Sequence, residues 1–263
     1  MTENLSELVG QNESEIVTLT NESFSKFYSI LSVLSKDCTD LTIKNGIICQ
    51  MTDRRSSIYN LDLSPIIGNV DVMMSGLQSK CEMFEPFKKQ GVEVSLVLEG
   101  DKYWFKDDVS EIEVTRPIER YLNNEHIAEE QLQERLSLAE GQPIFQITMQ
   151  PFLINRLSSY SKAMSATIVR LDFTGEKVSF TVTPGDNTSA VTARLANFDL
   201  NVETEAICGF PVNPFLMSTQ DLNIECFNRS DGENILLKLS TEVEGIPIEV
   251  WCMSRATNPN EVQ

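Results

Sequence analysis

Asp40-Leu-Thr-Ile-Lys-Asn-Gly-Ile-Ile-Cys-Gln-Met-Thr-Asp-Arg-Arg-Ser-Ser-Ile-Tyr-Asn-Leu-Asp-Leu63 is the stretch that decides the architecture. Asn45-Gly46 accepts positive φ at both positions, which a two-residue hairpin turn requires. Apolar blocks of strand length flank it, so the segment reads as strand, turn, strand, loop, strand. A helix precedes it, with Phe24, Phe27, Tyr28, Leu31 and Leu34 at three- and four-residue spacing forming one apolar face. Thr20-Asn21 can cap that helix, and Glu22 in its first turn complements the dipole. Glu15 to Leu19 reads as a short strand before the cap.

The same order returns in the second half of the chain. A helix from Phe152 to Met164, with an apolar stripe of Phe152, Leu153, Leu157, Tyr160 and Met164, leads into Ala166-Thr-Ile-Val-Arg-Leu-Asp-Phe-Thr-Gly-Glu-Lys-Val-Ser-Phe-Thr-Val182. Asp186 to Leu200 follows, and both copies end this region on Asp-Leu, at Asp62-Leu63 and Asp199-Leu200. Phe24 and Phe152 are as far apart as Phe87 and Phe215, which predicts a duplicated unit. The second copy then carries roughly nine extra residues in its hairpin region, where insertions cost little. Gly100-Asp101, Gly175-Glu176, Asp231-Gly232 and Glu244-Gly245 mark further turns. Val178, Phe180, Val182 and Ile246, Ile248, Val250 alternate, so one face of each sheet is buried.

The expected fold class is therefore α+β, two copies of one unit with helices on one face of antiparallel sheets. Residues 1–14 read as a tail, 15–116 as the first domain, 117–143 as a connector, 144–256 as the second domain and 257–263 as a second tail. The connector is acidic and holds His126, the only histidine. Ala128, Leu132, Leu136 and Ala139 predict a helix there from about Asn124 to Glu140, stopped by Gly141 and Pro143.

A hydrophobic content of 41% with 23% charged residues is that of a soluble globular protein. No apolar run approaches the ~20 residues of a membrane span. Met-Thr-Glu-Asn-Leu-Ser-Glu lacks the basic and apolar regions of a signal peptide, so a cytoplasmic protein is expected. The six cysteines are scattered without a Cys-x-x-Cys pair and read as reduced side chains packed as small hydrophobes. A single histidine rules out His-rich metal sites and leaves little for Ser-His-Asp or Cys-His catalysis. There is no phosphate-cradling glycine loop. Asp53 with Asp62, and Asp37 with Asp40, read as strand-end and turn aspartates in preference to paired catalytic carboxylates. The expectation is no catalytic residue, no metal and no cofactor.

A formal charge of −18 argues against nucleic acid until its distribution is read. The predicted helices are Asn21–Lys36, Ser75–Lys89, Gln150–Met164 and Pro211–Gln220. They carry Lys26, Lys36, Lys80, Lys88, Lys89, Arg156 and Lys162 against only Glu22, Glu82 and Glu85, a surplus of four cations that leaves −22 on everything else. The molecule should have an acidic body and one mildly basic face.

With its duplicated helix–hairpin units, acidic body and cationic helices, the chain resembles a DNA polymerase sliding clamp, the family of proliferating cell nuclear antigen. Residues 40–63 look like that family's strand, glycine turn, strand and Asp-Leu run. Leu236-Leu-Lys-Leu-Ser-Thr-Glu-Val-Glu-Gly-Ile-Pro-Ile-Glu-Val-Trp251 looks most like the two-domain clamps of large tailed bacteriophages. The resemblance implies a homotrimeric ring, sheets outside and twelve helices lining the hole, that encircles double-stranded DNA without sequence preference as a processivity factor. It implies DNA polymerase and a clamp loader as partners, transcription machinery as a further one, and a host bacterial cytoplasm. The DNA-binding residues would be Lys26, Lys36, Lys80, Lys89, Arg156 and Lys162, with Arg54 and Arg55 on a loop at the rim. By the same analogy Ile118, Tyr121, Leu122, Ile248, Val250 and Trp251 would form an apolar partner groove beside the connector. The alternatives are a clamp-fold factor tethering viral transcription machinery, and a virion structural or assembly protein.

Overall fold

The computed structural model describes residues 16–89, 92–99, 102–139, 141–174, 177–182, 184, 193–199, 206–228 and 235–254. Both expected tails and the turns expected at Gly100-Asp101, Gly175-Glu176 and Asp231-Gly232 lie outside the described residues.

In the first half the order is β1 (Ile16–Leu19), α1 (Asn21–Leu34), β2 (Asp40–Ile43), β3 (Ile47–Met51), β4 (Ser57–Asp62), the one-turn α2 (Ser64–Ile67), β5 (Val72–Ser75), α3 (Leu77–Phe84), β6 (Val94–Glu99), β7 (Lys102–Lys106) and β8 (Glu111–Thr115). A twenty-residue helix, α4 (Glu119–Leu138), joins it to the second half. There β9 (Phe145–Met149), α5 (Pro151–Met164), β10 (Ile168–Thr174), β11 (Lys177–Val182), β12 (Ala193–Asp199), β13 (Ala206–Pro211), β14 (Leu222–Asn228), β15 (Ile235–Val243) and β16 (Ile246–Met253) repeat the series.

Three antiparallel sheets result, ordered β1-β6-β7-β8-β5-β2, β12-β11-β10-β13 and β3-β4-β16-β15-β14-β9. The third is shared: β16 of the second half pairs with β4 of the first, from Glu249 opposite Asn60 to Cys252 opposite Ser57. Several pairings recur in the two copies: β1 lies on β6 as β9 lies on β14, and β3 lies on β4 as β11 lies on β12. Others differ, since β10 and β11 form a ladder whereas β2 and β3 lie in different sheets, and the fourth strands have different partners. β4 has β16 beside it, whereas β12 is an edge among the described residues. The equivalent of β16, β8, is held on its outer side by one residue pair, Met73 opposite Thr115.

Local chemistry explains these elements. Asn45-Gly46 and Glu244-Gly245 both have positive φ at their two positions, as their hairpins require. Gly46 has a second reason, because a Cβ there would sit 2.5 Å from the Gly68 carbonyl oxygen. Thr20 accepts from the Ser23 N–H and caps α1. Ser165, in the left-handed region, ends α5.

Alternation divides the shared sheet into two faces. Ile48, Tyr59, Leu237, Leu239 and Val250 point into the main core with the apolar sides of α1 and α5. Cys49, Ile58, Leu236, Phe227 and Trp251 point the other way and are covered by α4 through Ala128 and Leu132.

Several expectations need correction. The predicted helix Pro211–Gln220 is a single 3-10 turn, Asn213–Leu216, because residues up to Pro211 are held in β13 and Pro214 removes a helical donor. The predicted helix Ser75–Lys89 is α3 followed by a 3-10 turn at Glu85–Lys88, where Pro86 intervenes. The repeat register is off by two at the long helices. Leu153, Ile154 and Leu157 are buried on α5, so Ile154 corresponds to Phe24, while Phe152 is 52% exposed. Phe87 and Phe215 do correspond, each the buried third residue of its 3-10 turn. The connector helix starts at Glu119 rather than near Asn124. Finally, Ile248 and Val250 are fully buried in the main core, and Trp251, 2% exposed, lies beneath α4. A strand packed between helices on one side and a covering helix on the other cannot present these three side chains to a partner.

Candidate nucleic-acid interface

α1 and α5 lie on the same side of the molecule, and their C-terminal ends meet where the two halves join. A cavity of about 520 Å3 opens between them, lined by Lys36 and Asp37 after α1, Arg54 from the β3–β4 turn, Ser79 at the start of α3, Thr167 after α5 and Asn213. Its polar groups are cross-linked. The Asn213 side-chain amide donates to Asp37 Oδ1 at 2.7 Å and to the Lys36 carbonyl at 3.2 Å. Tyr59 donates its hydroxyl to Asp37 Oδ2 at 2.8 Å, and burial together with the Asp37 charge pushes that phenol well above its ordinary value. Asp53 accepts from the Thr39 backbone N–H at 3.1 Å and from its hydroxyl at 2.5 Å.

Each carboxylate weighed as a catalytic group thus has a structural bond. Asp62 accepts from the Ser64 N–H at 2.8 Å, and Asp40 from the Gly76 N–H at 3.1 Å. Among the described residues no group of three or more His, Cys, Asp or Glu side chains could hold a metal ion.

Acidic partners are found on both faces, at Lys26 and Lys88 on the helix side, which meet Glu22 and Glu85, and at four cations on the sheet side. Lys102 meets Glu113 at 2.9 Å, Lys106 meets Glu99 at 2.7 Å, Arg170 meets Asp172 at 3.7 Å and Lys238 meets Glu249 at 2.9 Å. On the helix side Lys36, Arg54, Lys89, Arg156 and Lys162 are exposed, and none has an acidic partner within 4 Å among the described residues. Burial is the main cause holding the Lys36 ammonium below its ordinary value; Asp37 opposes the shift and Lys162 adds to it. Arg156 lies 5.8 Å over the ring of Phe152 on the exposed side of α5.

Of the eight residues expected to meet DNA, Lys36 and Arg54 line the seam cavity, Lys162 lies in the last turn of α5 near it, and Arg156 shares that helix. Lys89 stands apart, after the first 3-10 turn. Lys26 is neutralised by Glu22 at 2.8 Å, and Lys80 donates to the Glu113 carbonyl at 2.6 Å. Arg55 sits in the left-handed region at φ 56° and turns away from Arg54 toward α4, where Tyr121 lines the same second cavity. Ile118, just before α4, and Leu122 on it are 58% and 40% exposed. Sequence reasoning missed Asn213, which had been placed inside a helix, and Arg135, which is buried under α4.

No family model and no curated protein sequence matches the chain. Solved structures do. A chain of the PCNA2–PCNA3 complex from Sulfolobus tokodaii matches over 92% of this chain and 100% of its own, with a TM-score of 0.58 at 12% identity. A protein described as a DNA polymerase III beta subunit from Eubacterium rectale matches over 93% of this chain and 66% of its own, with a TM-score of 0.56 at 8% identity. The PCNA of A. fulgidus, solved with the C-terminal region of FEN-1 bound, matches over 92% and 99%, with a TM-score of 0.54 at 10% identity. The chain has the sliding-clamp fold.

Proposed function

We propose that this protein is a sliding clamp, three copies of which close around duplex DNA and tether a replicative DNA polymerase. The observation that carries the reading is a group of exposed cations without acidic partners among the described residues on the helix side, with Lys36 and Arg54 lining the seam cavity and Lys162 at the end of α5 near it. Duplex DNA carries a charge every ~1.7 Å of its axis, so a sparse cationic lining attracts it in any register. An acidic outer wall disfavours DNA elsewhere.

The duplication supports a specific closure. Within the chain the fourth strand of one copy pairs with the last strand of the other, as β4 pairs with β16. Repeating that rule between chains pairs the β12 edge of one protomer with β8 of the next. Such a contact is head-to-tail and closes only by rotation into a ring. Light scattering across a dilution series tests this: a species near three times 29.6 kDa is expected, and a monomer at every concentration overturns it. Retention on circular but not linear DNA then tests the topological grip. Capture of a replicative polymerase, and not of transcription or virion proteins, tests the tethering role.

A further inference from the structure

α5 differs from its counterpart α1 on the face turned away from the core. With Ile154 at the position of Phe24, Arg156 takes the place of Lys26 and Phe152 that of Glu22. On α1 the pair is ionic, Glu22 meeting Lys26 at 2.8 Å. On α5 an aromatic ring replaces the acid, and the Arg156 guanidinium lies 5.8 Å over it. The rings of α1 are committed within the fold. Phe24 and Phe27 are fully buried, and Tyr28 donates to Glu85 with the Lys88 ammonium 4.3 Å over its ring.

The exposed residues Phe152, Asn155, Arg156, Ser159, Tyr160 and Ala163 of α5 recur at i, i+3, i+4, i+7, i+8 and i+11, which is one stripe of a helix. Phe152 is 52% and Tyr160 36% exposed, so two rings bracket an arginine on a face open to solvent. Lys162 follows in the last turn, and the helix has no acidic residue in a chain of net charge −18. Cations alone suffice to meet the phosphates of a duplex, whose bases are already stacked on one another. Rings beside cations suit an anionic strand whose bases are unpaired and have faces to offer. Eight helical residues set the two rings about 12 Å apart along the axis. A stacked strand rises about 3.4 Å per nucleotide, so the stripe spans roughly three to four nucleotides.

We propose that the α5 stripe binds single-stranded DNA, with Phe152 and Tyr160 stacking on bases and Arg156 and Lys162 meeting the phosphates. This deepens the clamp reading and rests on it for the side of the molecule that meets DNA, while the contact itself needs no closed ring. Where a primed template leaves its duplex, such a stripe holds the unpaired strand that a purely cationic helix would not distinguish.

The probes are a short labelled oligothymidylate and a duplex of the same length, read by fluorescence anisotropy against the full chain. Phe152→Leu combined with Tyr160→Leu keeps both positions apolar and removes both ring faces. It should weaken strand binding about tenfold or more and leave duplex binding within about twofold. Tyr160→Phe, which keeps the ring, should retain the natural affinity. Unchanged strand affinity in the double variant overturns the proposal, and so does an equal loss for strand and duplex. A lower oligomeric mass with strand affinity intact also overturns it, by assigning the rings to a contact between copies. A natural chain that binds duplex but not strand overturns this proposal and leaves the clamp reading standing. A strict monomer that still binds the strand through these rings does the reverse. Should the double variant fail to fold, crosslinking decides. A strand carrying an iodinated uracil, irradiated with the natural chain, should attach at Phe152 or Tyr160 by mass spectrometry, and attachment only elsewhere overturns the proposal.

Discussion

Among the described residues Arg135 is the only charged side chain taken fully out of water, at 2% exposure. A buried cation is costly to desolvate, and an apolar residue of similar length often serves stability as well or better. Arg135→Met should therefore keep or raise stability, while Arg135→Ala, which loses the same hydrogen bond but also empties the site, should lose about 1–3 kcal/mol. Urea denaturation of the pair checks this, and equal losses would show that the charge itself is needed. Thiols and phenols make a second prediction. Burial pushes Cys208 and Cys252 up to about 12 from 9.0, and Cys226 and Tyr59 well above their ordinary values. These groups ionise more readily unfolded, so their contribution is complete below the unfolded pKa and is lost as pH rises through and beyond it. The melting temperature should be level near pH 7.5 and fall from about pH 9 upward. A flat profile to pH 10.5 would contradict it.

At the scale of elements, the helices show how a strongly acidic chain can still present a face to DNA. Their apolar sides are consumed by the core, and the outward residues are short and hydroxylated, with few cations. The structure also ranks those cations. Replacing Lys36, Arg54 and Lys162 together by alanine should weaken DNA binding and lower the slope of log affinity against log salt by roughly 0.9 for each phosphate contact removed. Replacing Lys26 and Glu22 together by glutamine should change little, because the pair at 2.8 Å carries no net charge. Filter binding at a series of salt concentrations separates the two cases. A larger effect from that pair would move the interface along α1 and away from the seam.

The whole molecule turns on how the two halves are held. Among the described residues the seam is crossed by the β4–β16 ladder, by α4, and by the bond from Asn213 to Asp37 at 2.7 Å, which Tyr59 extends into the core. In a closed ring the angle between halves fixes the curvature, so a looser seam affects assembly more than fold. Asn213→Ala should cost about 1–2 kcal/mol of stability. It should also shift the dilution midpoint of the proposed trimer to higher concentration, as read by light scattering. An unchanged midpoint would assign curvature to the ladder alone.

The duplicated order of helix and hairpins, the turn at Asn45-Gly46, the capping by Thr20 and the charge split were all legible in the chain, because each depends on neighbours within a few residues. The two-residue error in the repeat register arose where local pattern was ambiguous. Phe152 is apolar enough to suggest core, and only packing shows it exposed beside Arg156. Ile248, Val250 and Trp251 alternate as a half-buried strand should, yet what covers each face depends on which elements pack there. α1 and α5 lie over one side of the shared sheet and α4 over the other, a decision made by long-range contacts. The placing of Lys36 and Arg54 in one cavity is of the same kind. Sequence determined the units and their chemistry, while tertiary structure decided which cations line the seam, since that depends on where two halves joined by a twenty-residue helix come together.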